Sequence, residues 1–344
     1  MSSAPSSALN QVQETSFILP DLVSHCHYSL IYHPDGDVVA QQSVDWLDSA
    51  CPELSAKQRK ALHKLKAGEL TAYCYNSAPT AILRVISDFL NYLFHLDNIS
   101  DGMFERDTEK LAHVVMNALW FPYASRPEET SATKLARDFW TRCISDAGVG
   151  TQARFKETLG LFFEAVGVEA QCRDSGIVPD LESCISLRRD TSGCKPCWVL
   201  IDHVSTLPDF VVEHPVIGAL NQSTNDLVTW SNDIFSYNVK QSRGDTHNMI
   251  VILMKYHEHT LQSAVDYVGE LCRETIDSFQ RNRRLVPSWG TEIDSMVQRY
   301  IRGLESWIVG SLHWSFMTER YFGASGEDVK KTRVVSLLPK TPSS

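Results

Sequence analysis

Residues 79–101 read PTAILRVISDFLNYLFHLDNISD, and this stretch decides the fold. Its apolar residues recur at helical spacing. In FLNYLFHL they cover nearly the whole circumference, which predicts a helix buried on all sides rather than one lying on a surface. The run ends in Asp97 and Asp101, four residues apart and so on one helical face. Such a pair alone usually marks a solvated face. Here the apolar context argues against that, because polar groups in buried segments are costly unless paired or bound to an ion.

A second cluster has the same character. Residues 230–245, WSNDIFSYNVKQSRGD, set Asn232, Ser236 and Lys240 at successive steps of four, with Val228, Trp230, Ile234, Phe235 and Tyr237 around them. Two oxygen-rich faces meeting across a cavity suit magnesium bridged by phosphate oxygens, because that ion keeps few protein ligands. Lys240 departs from the pattern. It stands where the spacing calls for an oxygen ligand, and an ammonium has three donors and no acceptor. Asp233 does not fill the gap, since it lies about 100° around the helix from Asn232.

Outward from these two segments the helical period continues. It is legible from Ala56 (AKQRKALHKLKAGELTAYCY), from Thr108, Ala132, Gln152, Pro179 and His259, and from Thr291 to Tyr321. Several of these segments start after Ser, Thr or Pro, as helix N-termini do. No strand alternation of any length is present, so the chain is expected to be all-α. In the last long helix Tyr300, Trp307, Trp314 and Tyr321 recur every seven residues. A straight helix drifts by only about 20° per seven residues, so the four rings form one stripe. The stripe reads equally as core packing or, in part, as the wall of a cavity where aromatic faces attract a cation.

Composition sets limits. With 344 residues, 43% hydrophobic and 22% charged, the chain can bury a sizeable core. No linker or repeat divides it between residues 20 and 340, so a single domain over 17–340 is expected, with a disordered N-terminal tail at 1–16 and a polar tail at 341–344. A net charge of -10 argues against nucleic acid as a partner. The N-terminus lacks the basic start and apolar run of a signal peptide, and no stretch approaches the roughly 18 apolar residues of a membrane span. Nine cysteines, an odd number, then suggest reduced thiols and a cytoplasmic location. Cys194 and Cys197 form a CxxC pair, but without a second pair or a redox-motif context the plain reading of buried thiols is preferred. No obligate protein partner is evident.

The two clusters resemble the aspartate-rich motif and the NSE motif of class I terpene synthases. Further segments are similar to the fungal sesquiterpene synthases, and most to the protoilludene synthases among them: FILPDL near 17, LKAGELTAYCY at 65, DFLNYLFHLDNISD at 88, PDLESCISLRRDTSGCKPCW at 179, NDLVTWSNDIFSYNV at 225, DTHNMI at 245 and SLHWSFMTERYFG at 311. The resemblance implies the single-domain class I terpenoid synthase bundle, helical around a central cavity, without an added β domain. It implies Mg2+ held by Asp97, Asp101, Asn232 and Ser236. Arg189, followed by Ser192 and Gly193, resembles the family's diphosphate sensor, with Arg188 as the fallback. Arg320 and Tyr321 look like its diphosphate-binding pair. Guanidinium forks suit such bidentate contacts. Catalysis is thus expected from Asp97, Arg189, Arg320 and Tyr321, with Lys240 and Trp314 also against the substrate.

The implied reaction is ionisation of farnesyl diphosphate, closure between carbons 1 and 11 to a humulyl cation, and then protoilludene. Family members usually carry Glu at the position of Lys240. Either the lysine binds pyrophosphate directly as a point charge, or the metal set is incomplete and the chain is an impaired, synthase-like helical protein. Spacing alone leads one to expect that Lys240→Glu keeps or raises activity and lowers the magnesium requirement.

Overall fold

In a computed structural model of the chain, residues 15–100, 102–124, 128–205 and 207–341 are described. Asp101 and the terminal segments 1–14 and 342–344 therefore lie outside the described residues.

Caps and breaks set the order of elements. Asp21 caps α1 (Leu22–His25), and after α2 (Gly36–Ala50) Ser55 and Gln58 form a reciprocal capping box at the start of α3 (Ala56–Leu65). The single helix expected over 56–75 is broken at Lys66, whose φ of 59° ends α3 and starts α4 (Ala67–Cys74). The left-handed turn has a structural use, because the Lys66 carbonyl accepts from Trp314 Nε1 at 2.8 Å. Next comes α5 (Thr80–Ser100), the run read at 79–101, with Phe89, Leu90, Tyr92, Leu93 and Leu96 all buried. Phe89 packs its ring against Phe139 and Phe155 at 5.1 and 5.0 Å. Truncating so buried a ring costs about 3–5 kcal/mol.

The middle of the chain supplies α6 (Glu105–Trp120), α7 (Ser131–Cys143), α8 (Val149–Asp174), α9 (Leu181–Thr191), α10 (Cys194–Ser205) and α11 (Asp209–Val212). The long α12 (Pro215–Arg243) stops at Gly244, whose φ of 78° turns the chain towards Asn248, the cap of α13 (Met249–Tyr256). Then come α14 (Leu261–Arg283), α15 (Thr291–Met317), α16 (Glu319–Phe322) and α17 (Gly326–Thr332).

Two short strands depart from the strand-free expectation. β1 (Ser16–Ile18) pairs antiparallel with β2 (Val334–Ser336), with Phe17 opposite Val335 and both side chains buried. Three residues are too few for alternation to register. The pairing also fastens the two ends of the described chain together and includes Ser16, one residue before the expected domain start. Among the described residues no helix is long and apolar enough to cross a membrane.

Candidate active site

Helix periodicity builds one cavity. On α5, Leu90, Leu93, Phe94 and Asp97 lie three, four or seven residues apart and line it together. On α12 the lining residues Val228, Asn232, Ser236 and Lys240 follow steps of four, and α15 contributes Trp307, Ser311, Trp314 and Ser315. The floor is mainly apolar and aromatic. Asp97, Arg188, Arg320 and Tyr321 also line the cavity and form its polar rim, with Phe94 and Trp314 beside them.

Arg320 spans the rim. It donates from Nη2 to Asp97 Oδ2 at 3.0 Å and from Nη1 to Asn98 Oδ1 at 2.8 Å, and its guanidinium lies 5.7 Å from the Phe94 ring centre. Its position comes from a break in the last long helix. Thr318 ends α15, accepts from the Arg320 N–H at 3.2 Å and starts α16. The aromatic stripe therefore crosses two helices. Trp307 and Trp314 on α15 and Tyr321 on α16 line the cavity, whereas Tyr300 is buried away from it and donates to Asn221 Oδ1 at 2.8 Å. Trp314 stands 5.5 Å from Phe94 and 5.9 Å, edge-on, from Tyr321. Burial raises the Tyr321 pKa, so the phenol stays protonated.

Arg189, expected from the sequence to meet the diphosphate, faces elsewhere in this structure. Arg189 makes a bidentate pair with Asp226 at 2.8 and 2.9 Å and does not line the cavity. Of the two neighbours, Arg188 is the one that lines the cavity. The reason is angular: Arg188 shares the buried face of Cys184 and Thr191, at i−4 and i+3, and its neighbour points about 100° away. Arg188 donates from Nη2 to Asp233 Oδ1 at 2.7 Å and to Asn232 Oδ1 at 3.2 Å. Burial alone would lower its pKa, but Asp233 and, after it, Glu169 hold it above the usual arginine value. Beyond Arg188 the chain turns at Gly193, whose φ is 68° and where a Cβ would stand 2.9 Å from Leu93. That turn brings Cys194 and Cys197 to the cavity wall as buried free thiols, with Cys197 Sγ donating to the Gly193 carbonyl at 3.3 Å.

On α12, Asn232 donates from Nδ2 to Tyr321 Oη at 2.8 Å. Ser236 Oγ is buried without a hydrogen-bond partner. Lys240 Nζ donates to the His247 carbonyl at 2.9 Å and stands 3.9 Å from Asp245. Four charged or titratable lining residues were missed by the sequence reading: Glu169, Arg173, Asp245 and His247. Glu169 and Arg173 sit four apart on α8, which reads in sequence as an ordinary surface ion-pair spacing.

The donor sets of the two walls differ in what they fit. At the rim, Asp97 offers an anionic oxygen on a side chain 37% exposed, which fits a magnesium ion that fills its remaining positions with water and phosphate oxygens. The α12 wall fits a divalent ion poorly. Its amide oxygen already accepts from Arg188, Ser236 is neutral, and Lys240 adds positive charge.

Residues 88–278 match the family model described as terpene synthase family 2, C-terminal metal binding. The chain belongs to the terpene synthase family. The synthase is 66% identical to the alpha-muurolene synthase of Coprinopsis cinerea, over 99% of this chain and 82% of the relative. It is 67% identical to sesquiterpene synthase Agr3 of Cyclocybe aegerita, over 94% of each. The similarity to a delta(6)-protoilludene synthase of Cyclocybe aegerita is weaker, 33% over 95% of this chain and 50% of that one. Among solved structures, germacradien-4-ol synthase from Streptomyces citricolor superposes with a TM-score of 0.73 at 20% identity, over 84% of this chain and 96% of that one. At that identity the likeness establishes the fold, a single, mainly helical domain of the class I synthase type. Terpene synthases are lyases, and the synthase is an enzyme of that class.

Proposed function

We propose that the synthase ionises farnesyl diphosphate and cyclises the resulting cation to a sesquiterpene hydrocarbon. The observation that carries this reading is one cavity with an aromatic floor beneath a rim of Asp97, Arg188, Arg320 and Tyr321. The diphosphate head lies at the rim and the fifteen-carbon chain on the floor. In the first step the carbon–oxygen bond breaks, its electron pair leaves with the diphosphate, and an allyl cation remains. A magnesium ion at Asp97 would supply further stabilisation of that leaving charge. Arg188, Arg320 and the Tyr321 hydroxyl are preorganised donors for the same oxygens. Phe94, Trp307 and Trp314 line the cavity, and an aromatic face attracts a cation by about 0.5–2 kcal/mol where water is excluded. Ring closure and loss of a proton then release a neutral hydrocarbon.

The resemblance of the motifs suggests closure between carbons 1 and 11 and protoilludene as product. The identity of 66% to an alpha-muurolene synthase, against 33% to a protoilludene synthase, favours an alpha-muurolene-like bicyclic hydrocarbon instead. Chromatography of the product beside authentic alpha-muurolene and protoilludene distinguishes the two. Co-elution and a matching mass spectrum with alpha-muurolene support our preference, and a match to protoilludene overturns it.

A further inference from the structure

The α12 end of the cavity carries buried polar atoms that no protein group satisfies. Ser236 Oγ, Arg188 Nε and both ring nitrogens of His247 have no hydrogen-bond partner, and all three residues line the cavity. Their residues are 6%, 7% and 4% exposed. An orphaned buried polar atom costs about 1–3 kcal/mol, so a set of them in one wall marks a place for a ligand. The type of atom identifies the ligand. Arg188 Nε–H can only donate, and a neutral imidazole donates from one nitrogen, while the Ser236 hydroxyl can do either. Burial lowers the His247 pKa and keeps that ring neutral.

Charge points the same way. Lys240 lies one helical step beyond Ser236, anchored through the His247 carbonyl rather than directed into solvent. The carboxylate nearest in sequence to Asn232 is Asp233, which is fully buried, accepts from Arg188 and from the Met249 N–H, and is turned away from the cavity. Two other carboxylates line this end, Glu169 and Asp245, and two further cations, Lys240 and Arg173, stand with them. The corner therefore has no surplus of negative charge with which to hold a divalent ion.

We infer that the α12 wall binds diphosphate oxygens directly, through Lys240, Ser236 and Arg188, with no divalent ion between. This rests on the cyclase reading of the cavity and deepens it: metal belongs to the Asp97 rim, and the lysine's charge replaces a second metal position. The inference keeps the metal position that spacing suggested Lys240→Glu would gain, and adds that the same change removes a direct contact to diphosphate.

The test uses the whole chain with inorganic pyrophosphate, and its readout is binding rather than turnover. Calorimetry in EDTA should detect pyrophosphate binding to the parent. Lys240→Gln should weaken it by about ten- to a hundredfold, the equivalent of one charge-assisted hydrogen bond, and Lys240→Arg should restore it. Equilibrium dialysis with Mn2+ and saturating pyrophosphate should find one more metal bound per chain in Lys240→Glu than in the parent. No binding to the parent in EDTA, equal affinities for parent and Lys240→Gln, or equal metal counts would each overturn the proposal. Circular dichroism confirms that each variant is folded. Failure to convert farnesyl diphosphate would count against the cyclase reading alone, because pyrophosphate binding is measured without it.

Discussion

Arg188 and Asp233 form an ion pair at 2.7 Å in which the arginine side chain is 9% exposed and the aspartate not at all. The same nitrogen, Nη2, also reaches Asn232 Oδ1. One buried guanidinium thus fixes the amide that faces the cavity and is itself held by a carboxylate that does not.

This arrangement separates the two adjacent arginines. Arg188→Gln should leave Asp233 buried without its counter-ion and destabilise the fold by about 3–5 kcal/mol. The double variant Arg188→Gln/Asp233→Asn should recover thermal stability but not turnover. Arg189→Gln, which breaks the pair with the buried Asp226, should keep turnover within about threefold of the parent, since Arg189 does not line the cavity. Melting curves with initial rates check all three. A large loss of turnover in Arg189→Gln, with Arg188→Gln unaffected, would restore the assignment made from sequence.

At the rim, Arg320→Ala should slow ionisation by about ten- to a hundredfold, because a charge-assisted contact to the departing diphosphate is worth about 1.5–3 kcal/mol. Unchanged kinetics would reduce Arg320 to a surface charge paired with Asp97.

Asp97→Ala should remove most turnover while leaving helical content intact. Its side chain is 37% exposed and its described ion pair is with Arg320 alone, so little packing depends on it. Far-ultraviolet circular dichroism and a magnesium titration of the rate check this. Full activity in Asp97→Ala would remove the metal from the rim.

The bundle was legible because buried helices betray themselves by period, and α5 and α12 carry apolar residues on nearly every side. Asp97, Asn232 and Ser236 could be named for the same reason: steps of four along a helix put groups on one wall, whereas Arg320 and Tyr321 could be named only through resemblance to the family's diphosphate-binding pair. The unread features depend on breaks and on partners distant in sequence. Lys66 divides an expected helix because Trp314, far along the chain, needs its carbonyl. Thr318 divides another and aims Arg320 inward. Arg188 and Arg189 could not be separated by motif, although the buried positions 184, 188 and 191 form a face that does separate them. Glu169 carried no local signal, since it joins this wall only through packing between helices, and His247 meets Lys240 through its carbonyl only because the chain turns after Gly244.

Stability should depend on pH through buried histidines. Burial lowers the pKa values of His203 and His313. A depressed native pKa means that the unfolded chain takes up a proton first, near the ordinary value of about 6.5. The contribution to stability is therefore complete above that pH and is lost as the pH falls below it towards the native values. The melting temperature should drop between about pH 7 and pH 5, and His203→Asn should flatten the slope. A melting temperature that rises on acidification would contradict the assignment.

The central claim is that the cavity turns an allylic diphosphate into a cyclic hydrocarbon. Incubation of the purified chain with farnesyl diphosphate and Mg2+, followed by mass spectrometric analysis of the volatile products, tests it most directly. The account predicts a cyclic fifteen-carbon hydrocarbon together with released pyrophosphate, and none of either when EDTA replaces the metal. A longer prenyl diphosphate, or no product from folded protein, would contradict it.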